Sequence, residues 1–293
     1  MRPLLLLSLL TLATGCVHGN LVSGALVMPM RVPVIGEPSL PHENFEVTTT
    51  DGIALFGWRF APESQPRGVL VLVHGKDINR QHFVAAAQRF VKQGFAVVAY
   101  DQRAHGESKG EFITYGVREA GDLSAVIDVS LARYGRELPV VVVGESLGAA
   151  VALQAAAKDQ RIKLVVAGAS FSDLKTVVDD KAPFFLDEKG KQRALEIAQD
   201  EARFSIADAS PAEAATRIKV PVLLLHGSED AYLPMKHSLK IYESLAGPRR
   251  FVRLEGVGHV DILLSDAAWD EVESFVNARL EPSEEAVAGA LSH

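Results

Sequence analysis

The chain has 293 residues, 48% hydrophobic and 23% charged, with 23 Gly and 14 Pro, a composition that builds a packed globular protein and excludes disordered, collagen-like and coiled-coil chains. With 30 Lys+Arg against 37 Asp+Glu the net charge is −7, and no basic stripe gathers that could neutralise a phosphate backbone, so nucleic acid is not an expected partner. One cysteine cannot form an intramolecular disulfide or a multi-cysteine zinc site, and neither a metal nor another cofactor is expected.

The first segment reads as an export signal. Arg2 is followed by an apolar run from Leu4 to Leu12 and then by Ala13-Thr14-Gly15-Cys16, the charged, apolar and small-residue order of a signal peptide, predicted over 1–15. The apolar run is too short to span a bilayer. Ala13-Thr14-Gly15-Cys16 resembles the lipobox of bacterial lipoproteins, which implies that Cys16 becomes the lipidated first residue of the mature chain and holds it to a membrane by acyl chains such as palmitate. Val17, where an inner-membrane lipoprotein would carry Asp, implies the outer membrane, facing the periplasm. Ordinary cleavage near Gly15, giving a soluble periplasmic or secreted protein, and a retained anchor are the competing readings.

From Asn20 to Leu40 the text is apolar but broken by Pro29, Pro33 and Pro38, and residues 16–40 are read as an extended tether, either packed on the domain or forming an apolar lip near the site or the bilayer. The domain is expected over 41–280. Phe45–Thr50 and Ile53–Phe60, joined by Asp51-Gly52, predict a hairpin with a two-residue turn. Short apolar, β-branched runs follow at Val69–Val73, Phe95–Tyr100, Val140–Val143, Leu164–Ala167 and Val222–Leu225, each succeeded by text of helical length. Helices are predicted over Phe83–Val91, Glu119–Tyr134, Leu147–Ala157, about Leu239, and over Asp266–Leu280. That alternation predicts an α/β fold with a mostly parallel central sheet and helices on both faces. Residues 171–219 interrupt it with helical, charged text and are expected to form a small helical cap insertion; 281–293 are expected to be a disordered tail.

Two G-x-S-x-G motifs occur, around Ser108 and around Ser146. A nucleophile elbow needs a strand ending at the first glycine and a helix starting after the serine. Val140–Val143 and the small-residue run from Leu147 meet both demands for Ser146, whereas Ser108 follows a loop after Tyr100 and leads into no helix. A serine hydroxyl needs a base, and the base needs an orienting acid. Asp230 and His259 follow strand-like runs in that order and are the candidate acid and base, with Glu229 the rival acid. Backbone N–H groups of Lys76 and Leu147 are the candidate oxyanion donors. His74 is read as part of the oxyanion loop, with a role as metal ligand or base the weaker alternative.

Val73-His74-Gly75, Tyr100-Asp101-Gln102-Arg103-Ala104-His105-Gly106-Glu107-Ser108, Gly144-Glu145-Ser146-Leu147-Gly148, His226-Gly227-Ser228-Glu229-Asp230 and Gly258-His259 together resemble the α/β-hydrolase superfamily, most of all its monoacylglycerol-lipase and serine-aminopeptidase-like branch. The resemblance covers about residues 44–280. It implies a serine hydrolase cleaving small carboxylic esters through an acyl-enzyme, with monoacylglycerol- or lysophospholipid-like esters among the candidates. A thioesterase, an amidase and a non-catalytic envelope lipoprotein on the same fold are the alternatives. Two positions depart from the resembled pattern: Glu145 stands where such lipases often have His, and Ala104 where the loop usually has Gly.

Overall fold

Runs such as Val140–Val143 and Val222–Leu225 have no polar face, so each is stable as a strand only when both sides are covered. In the computed structural model, which describes residues 24 and 26–280, the strands are β1 (Glu43–Thr48), β2 (Ala54–Phe60), β3 (Gly68–Val73), β4 (Phe95–Tyr100), β5 (Val140–Glu145), β6 (Ile162–Gly168), β7 (Val222–Gly227) and β8 (Arg249–Leu254). They form one sheet in the order β1-β2-β4-β3-β5-β6-β7-β8. β2 runs antiparallel to both β1 and β4, and every other pairing is parallel. The mostly parallel α/β sheet expected from the sequence is thus the observed one.

The helices are α1 (Val84–Lys92), α2 (Glu119–Tyr134), α3 (Leu147–Ala156), α4 (Leu174–Lys181), α5 (Glu188–Ala202), α6 (Pro211–Ala215), α7 (Lys236–Ser244) and α8 (Asp266–Leu280). Side chains alternate across each strand and so feed two separate apolar layers. Val69, Val71 and Val73 pack with Leu123 and Ile127 of α2, Val151 of α3 and Ile241 of α7. Leu70 and Leu72 pack on the opposite face with Phe90 of α1 and with Trp269, Val272 and Phe275 of α8. A third cluster lies under the inserted helices, joining Leu174, Val178, Leu195 and Phe204 to Ile113, Tyr115, Leu147 and Phe171.

Two segments differ from the sequence expectation. The first hairpin closes through three residues rather than two. Gly52 N donates to Thr49 O at 3.0 Å, Thr49 N donates to Ile53 O at 2.9 Å, and Gly52 takes φ +84°, a turn followed by a left-handed glycine. The Thr49 hydroxyl accepts Ile53 N at 2.9 Å and donates to Asp51 at 2.6 Å, which favours the longer loop. The inserted region is also smaller than 171–219. Ala212 and Ala215 of α6, with Ile218, belong to the layer that holds α2 and α3, so the cap proper ends before Pro211.

Residues 26–40, read as a tether, lie against the domain. Val27 is buried in the third cluster, and Ile113 N donates to Val27 O at 2.8 Å. The Arg31 guanidinium donates to the carbonyls of Gly106, Ser108 and Gly110. Asn79 Nδ2 donates to the carbonyls of Val32 and Pro33 at 3.2 Å each. From Met30 onward the prolines interrupt regular structure, and backbone groups of Met30, Val32, Pro33 and Ile35 are met by the side chains of Asp77, Asn79 and Gln81.

Candidate active site

The site begins where β5 ends. The chain turns at Ser146 with φ 50° and ψ −115°, a conformation that costs on the order of 1–3 kcal/mol for a non-glycine residue. The turn is tight because two neighbours lack a side chain: a Cβ on Gly148 would lie 2.0 Å from Val73 O, and one on Gly144 would lie 2.3 Å from Gly148 O. Ser146 N donates to Gly168 O at 2.8 Å, and Ala150 N donates to Ser146 O at 3.2 Å, which holds the turn between β6 and α3. The Ser146 hydroxyl therefore stands at the carboxyl edge of the sheet, where the loops after β7 and β8 also emerge.

Those loops bring Asp230 and His259 to it. His259 Nε2 lies 3.0 Å from Ser146 Oγ, and His259 Nδ1 lies 2.7 Å from Asp230 Oδ2. The second Asp230 oxygen accepts Tyr232 N at 2.9 Å and Leu233 N at 2.7 Å, which fixes the carboxylate plane. The Asp230 side chain is 1% exposed. Burial alone would raise its pKa, but the hydrogen bonds from His259 and Leu233 outweigh burial and hold the carboxyl below its ordinary range. Glu229 is exposed, and its backbone N–H donates to Val257 O at 3.0 Å; His259 meets Asp230, not this rival. In this hydrogen-bonded order the imidazole can take a proton from the serine hydroxyl while its other nitrogen stays oriented.

Lys76 and Leu147 line the same cavity as Ser146 and His259. Its volume is about 300 Å³, and Tyr115, Phe171, Val177 and Leu233 make its apolar walls. A wider cleft of about 730 Å³ between Arg103 and Arg203 lies elsewhere; Arg103 there is paired with Asp51 and Asp122.

Two histidines brace the loop that carries Lys76. His74 Nδ1 lies 2.6 Å from Gly75 O, and Gln102 N donates to His74 Nε2 at 3.0 Å, so both ring nitrogens serve the backbone. Burial keeps the His74 pKa well below its ordinary value, and the ring stays neutral. His105 repeats the arrangement, with Nδ1 at 2.9 Å from Arg103 O and Nε2 accepting Asp77 N at 3.2 Å; the two rings meet edge to face at 4.9 Å. Sequence reasoning missed His105 and Asp77, because a bracing hydrogen bond between two loops leaves no periodic pattern in the text. Asp77 takes φ +64°, and its carboxylate accepts Met30 N from the strap at 2.7 Å.

The two departures from the resembled motifs have local accounts. Glu145 is buried and faces His82, whose Nε2 is 3.0 Å from Glu145 Oε1, near enough for an ion pair but off-line for a hydrogen bond. Ala104 takes φ +65°, where a side chain costs about 1–2 kcal/mol and glycine costs little. The second motif serine, Ser108, is fully buried; its hydroxyl donates to Asp101 O at 2.6 Å and accepts Phe56 N at 2.9 Å. Cys16, the signal segment 1–15 and the tail 281–293 lie outside the described residues. No helix among the described residues is long and apolar enough to cross a membrane.

Comparison with known proteins agrees with this architecture. The family model described as "Serine aminopeptidase, S33" matches residues 64–192. The Mycobacterium tuberculosis protein Rv2307c is 31% identical over 228 residues, covering 75% of this chain and 73% of its own. Among solved structures, the Pyrococcus furiosus esterase Pf2001 superposes with a TM-score of 0.71 at 23% identity, covering 87% of this chain and 100% of the other. The acetyl xylan esterase from Paenibacillus sp. R4 superposes at 0.68 with 22% identity, covering 89% and 92%. At such identities the two structures speak to fold, and the mycobacterial relative to kinship. The chain belongs to the α/β-hydrolase superfamily.

Proposed function

We propose that the protein is a serine hydrolase of carboxylic esters with one acyl chain. Ser146 Oγ attacks the acyl carbonyl while His259 Nε2 takes its proton, and Asp230 holds the imidazole and the charge it acquires. The oxyanion is met by the backbone N–H groups of Leu147 and Lys76. Collapse breaks the ester bond, His259 returns the proton to the leaving alcohol, and the acyl group stays on Ser146. Water, deprotonated by His259, then releases the carboxylic acid and restores the hydroxyl.

The observation that carries this reading is the hydrogen-bonded series Ser146–His259–Asp230 at 3.0 and 2.7 Å. A cavity of about 300 Å³ lies at the lower bound of ligand pockets, a size suited to a short or medium acyl chain. The test is a panel of p-nitrophenyl esters from acetate to palmitate, run beside thioesters and aminoacyl anilides, with a fluorophosphonate serine probe. Wild type should label and turn over short and medium esters, and Ser146→Ala should do neither. Equal labelling of both proteins removes Ser146 as the nucleophile; turnover of thioesters or anilides alone moves the reading to a thioesterase or amidase; no labelling with no turnover of any substrate leaves a binding module on this fold.

We further propose that the mature chain begins at a lipidated Cys16 in the bacterial envelope, on the outer membrane facing the periplasm. The support is the apolar run Leu4–Leu12 followed by the chain's one cysteine after small residues. Labelled palmitate on wild type but not on Cys16→Ser is the expected result. A label-free, fully soluble wild type would leave a periplasmic or secreted enzyme.

A further inference from the structure

We propose that the mouth of the Ser146 cavity is a lipid-docking face: an apolar rim that seats on a bilayer and opens the cavity to single-chain acyl esters held in it. For its substrate the inference rests on the ester-hydrolase reading, and for its attachment on the lipidated Cys16.

Exposed large apolar side chains are few among the described residues, and most belong to segments that meet at the cavity. Tyr232 and Val260 line it, yet they are 54% and 70% exposed. Met30, 69% exposed, is held beside it because its backbone N–H donates to Asp77, another lining residue. Phe184, fully exposed, follows Lys181 by three residues, and Lys181 Nζ sits 4.3 Å above the Tyr232 ring. Phe184 and Phe185 stack edge to face with centroids 5.6 Å apart. Strap, cap loop and the loops after β7 and β8 thus each turn an apolar side chain to water around one opening. In water such a gathering of exposed apolar side chains is unfavourable, and it marks a surface that binds something apolar.

The chain itself indicates which apolar partner. Tyr115, a wall of the cavity, donates its hydroxyl proton to Leu26 O at 2.7 Å, so the strap enters the domain at the mouth. Seven residues lie between Cys16 and Gly24, eight steps that span at most about 29 Å when fully extended. Acyl chains on Cys16 therefore tether the bilayer to the side of the molecule that carries the rim. Long apolar side chains at that face can enter the headgroup boundary as an interfacial helix does. A single-chain ester could then pass from the leaflet to Ser146 without crossing water.

Depth measurement decides the matter. Trp58 and Trp269 are buried in the core, so an added tryptophan reports its own surroundings over a constant background. The full-length protein is placed in vesicles of phosphatidylethanolamine and phosphatidylglycerol with brominated acyl chains, carrying either Phe184→Trp or Glu63→Trp. Glu63 is exposed in the loop before β3, at the opposite edge of the sheet. The added signal should be quenched by more than half for Phe184→Trp and hardly at all for Glu63→Trp; equal quenching, or none at either, overturns the docking face. As a second measurement, combined Phe184→Ser and Phe185→Ser should lower kcat/KM about tenfold for an acyl ester embedded in vesicles and leave a soluble acetate ester unchanged. Equal effects on both substrates also overturn it. Palmitate on Cys16 is read separately: label without rim quenching removes the docking face and keeps the anchor, and quenching without label keeps the face and removes the anchor. If no ester is turned over, the hydrolase reading fails by itself, and quenching still decides the face.

Discussion

Ser146 and Ser108 share one motif, and their surroundings separate them. Ser146 occupies a strained turn with its hydroxyl 3.0 Å from an imidazole, whereas Ser108 spends its hydroxyl on Asp101 O and Phe56 N. Ser146→Ala should lower kcat by about 10⁴- to 10⁶-fold with little change in stability. Ser108→Ala should instead keep kcat within a few-fold and lose about 1–3 kcal/mol of stability, because a buried carbonyl and a half-buried N–H both lose their partner. Comparable losses of activity in the two variants would undo the assignment, and ester kinetics beside urea unfolding gives both numbers. Asp230→Asn supplies a sharper check on the acid. The amide can still accept Tyr232 N and Leu233 N, but it lacks the anionic acceptor for His259 Nδ1, so kcat should fall about 10³- to 10⁴-fold. Glu229→Gln, altered on an exposed side chain, should stay within about twofold of wild type; a large loss there would move the acid role. At this scale the sequence carried much of the geometry, because an elbow needs a strand, a glycine pair and a helix in one short window. It carried nothing of His105 or Asp77, whose partners lie on other loops.

The cap helix α4 is held by both ends, and neither tie can be read from the text of the helix alone. At its start Asp173 accepts Thr176 N at 2.8 Å and the Thr176 hydroxyl at 2.7 Å, while its other oxygen meets Lys240 Nζ of α7 at 2.9 Å. At its end Asp180 Oδ2 lies 3.0 Å from His237 Nε2 of α7, and His237 Nδ1 lies 3.0 Å from Ser172 Oγ. That second series has the residue types of a catalytic triad, but Ser172 and His237 are both buried, so it ties the cap to the body. Burial by itself would raise the Asp173 pKa; hydrogen bonds from Thr176 and Lys240 overcome it and bring the carboxyl down to about 2 from an ordinary 3.8. A carboxyl depressed on folding contributes stability that is complete above its unfolded pKa and lost as pH falls through its folded one. Asp173→Ala should therefore lose on the order of 2 kcal/mol at pH 7, with the deficit shrinking steadily between about pH 4 and 2. Thermal unfolding of both proteins along that pH series measures it, and a deficit independent of pH would mean the cap and not the charge is responsible. The α6 stretch shows why the insertion was overdrawn from sequence: Pro211–Ala215 is short, alanine-rich text equally suited to a cap or a core, and only its packing beside α3 settles which.

On the scale of the whole molecule, two regions of different construction share one chain. The sheet with its two apolar layers is continuous, and its strands were legible because residues buried on both faces leave unbroken hydrophobic runs. The cavity is assembled at one edge of that sheet from the loop after β3, the cap and the loops after β7 and β8, much of it held by single hydrogen bonds or side-chain ties. Elements with few buried apolar contacts open at a lower free energy than the core they rest on. The strap and the helices α4 and α5 should accordingly loosen before the sheet does. Both tryptophans, Trp58 of β2 and Trp269 of α8, lie in the apolar layer that also holds α1, and neither belongs to the cluster under the cap. Their fluorescence therefore reports the core, while turnover of a soluble ester reports the cavity walls and the loop after β3. In a urea titration the loss of kcat/KM should come at a clearly lower concentration than the fluorescence transition. Coincident midpoints in the unliganded protein would mean that cap, strap and sheet unfold as one cooperative unit.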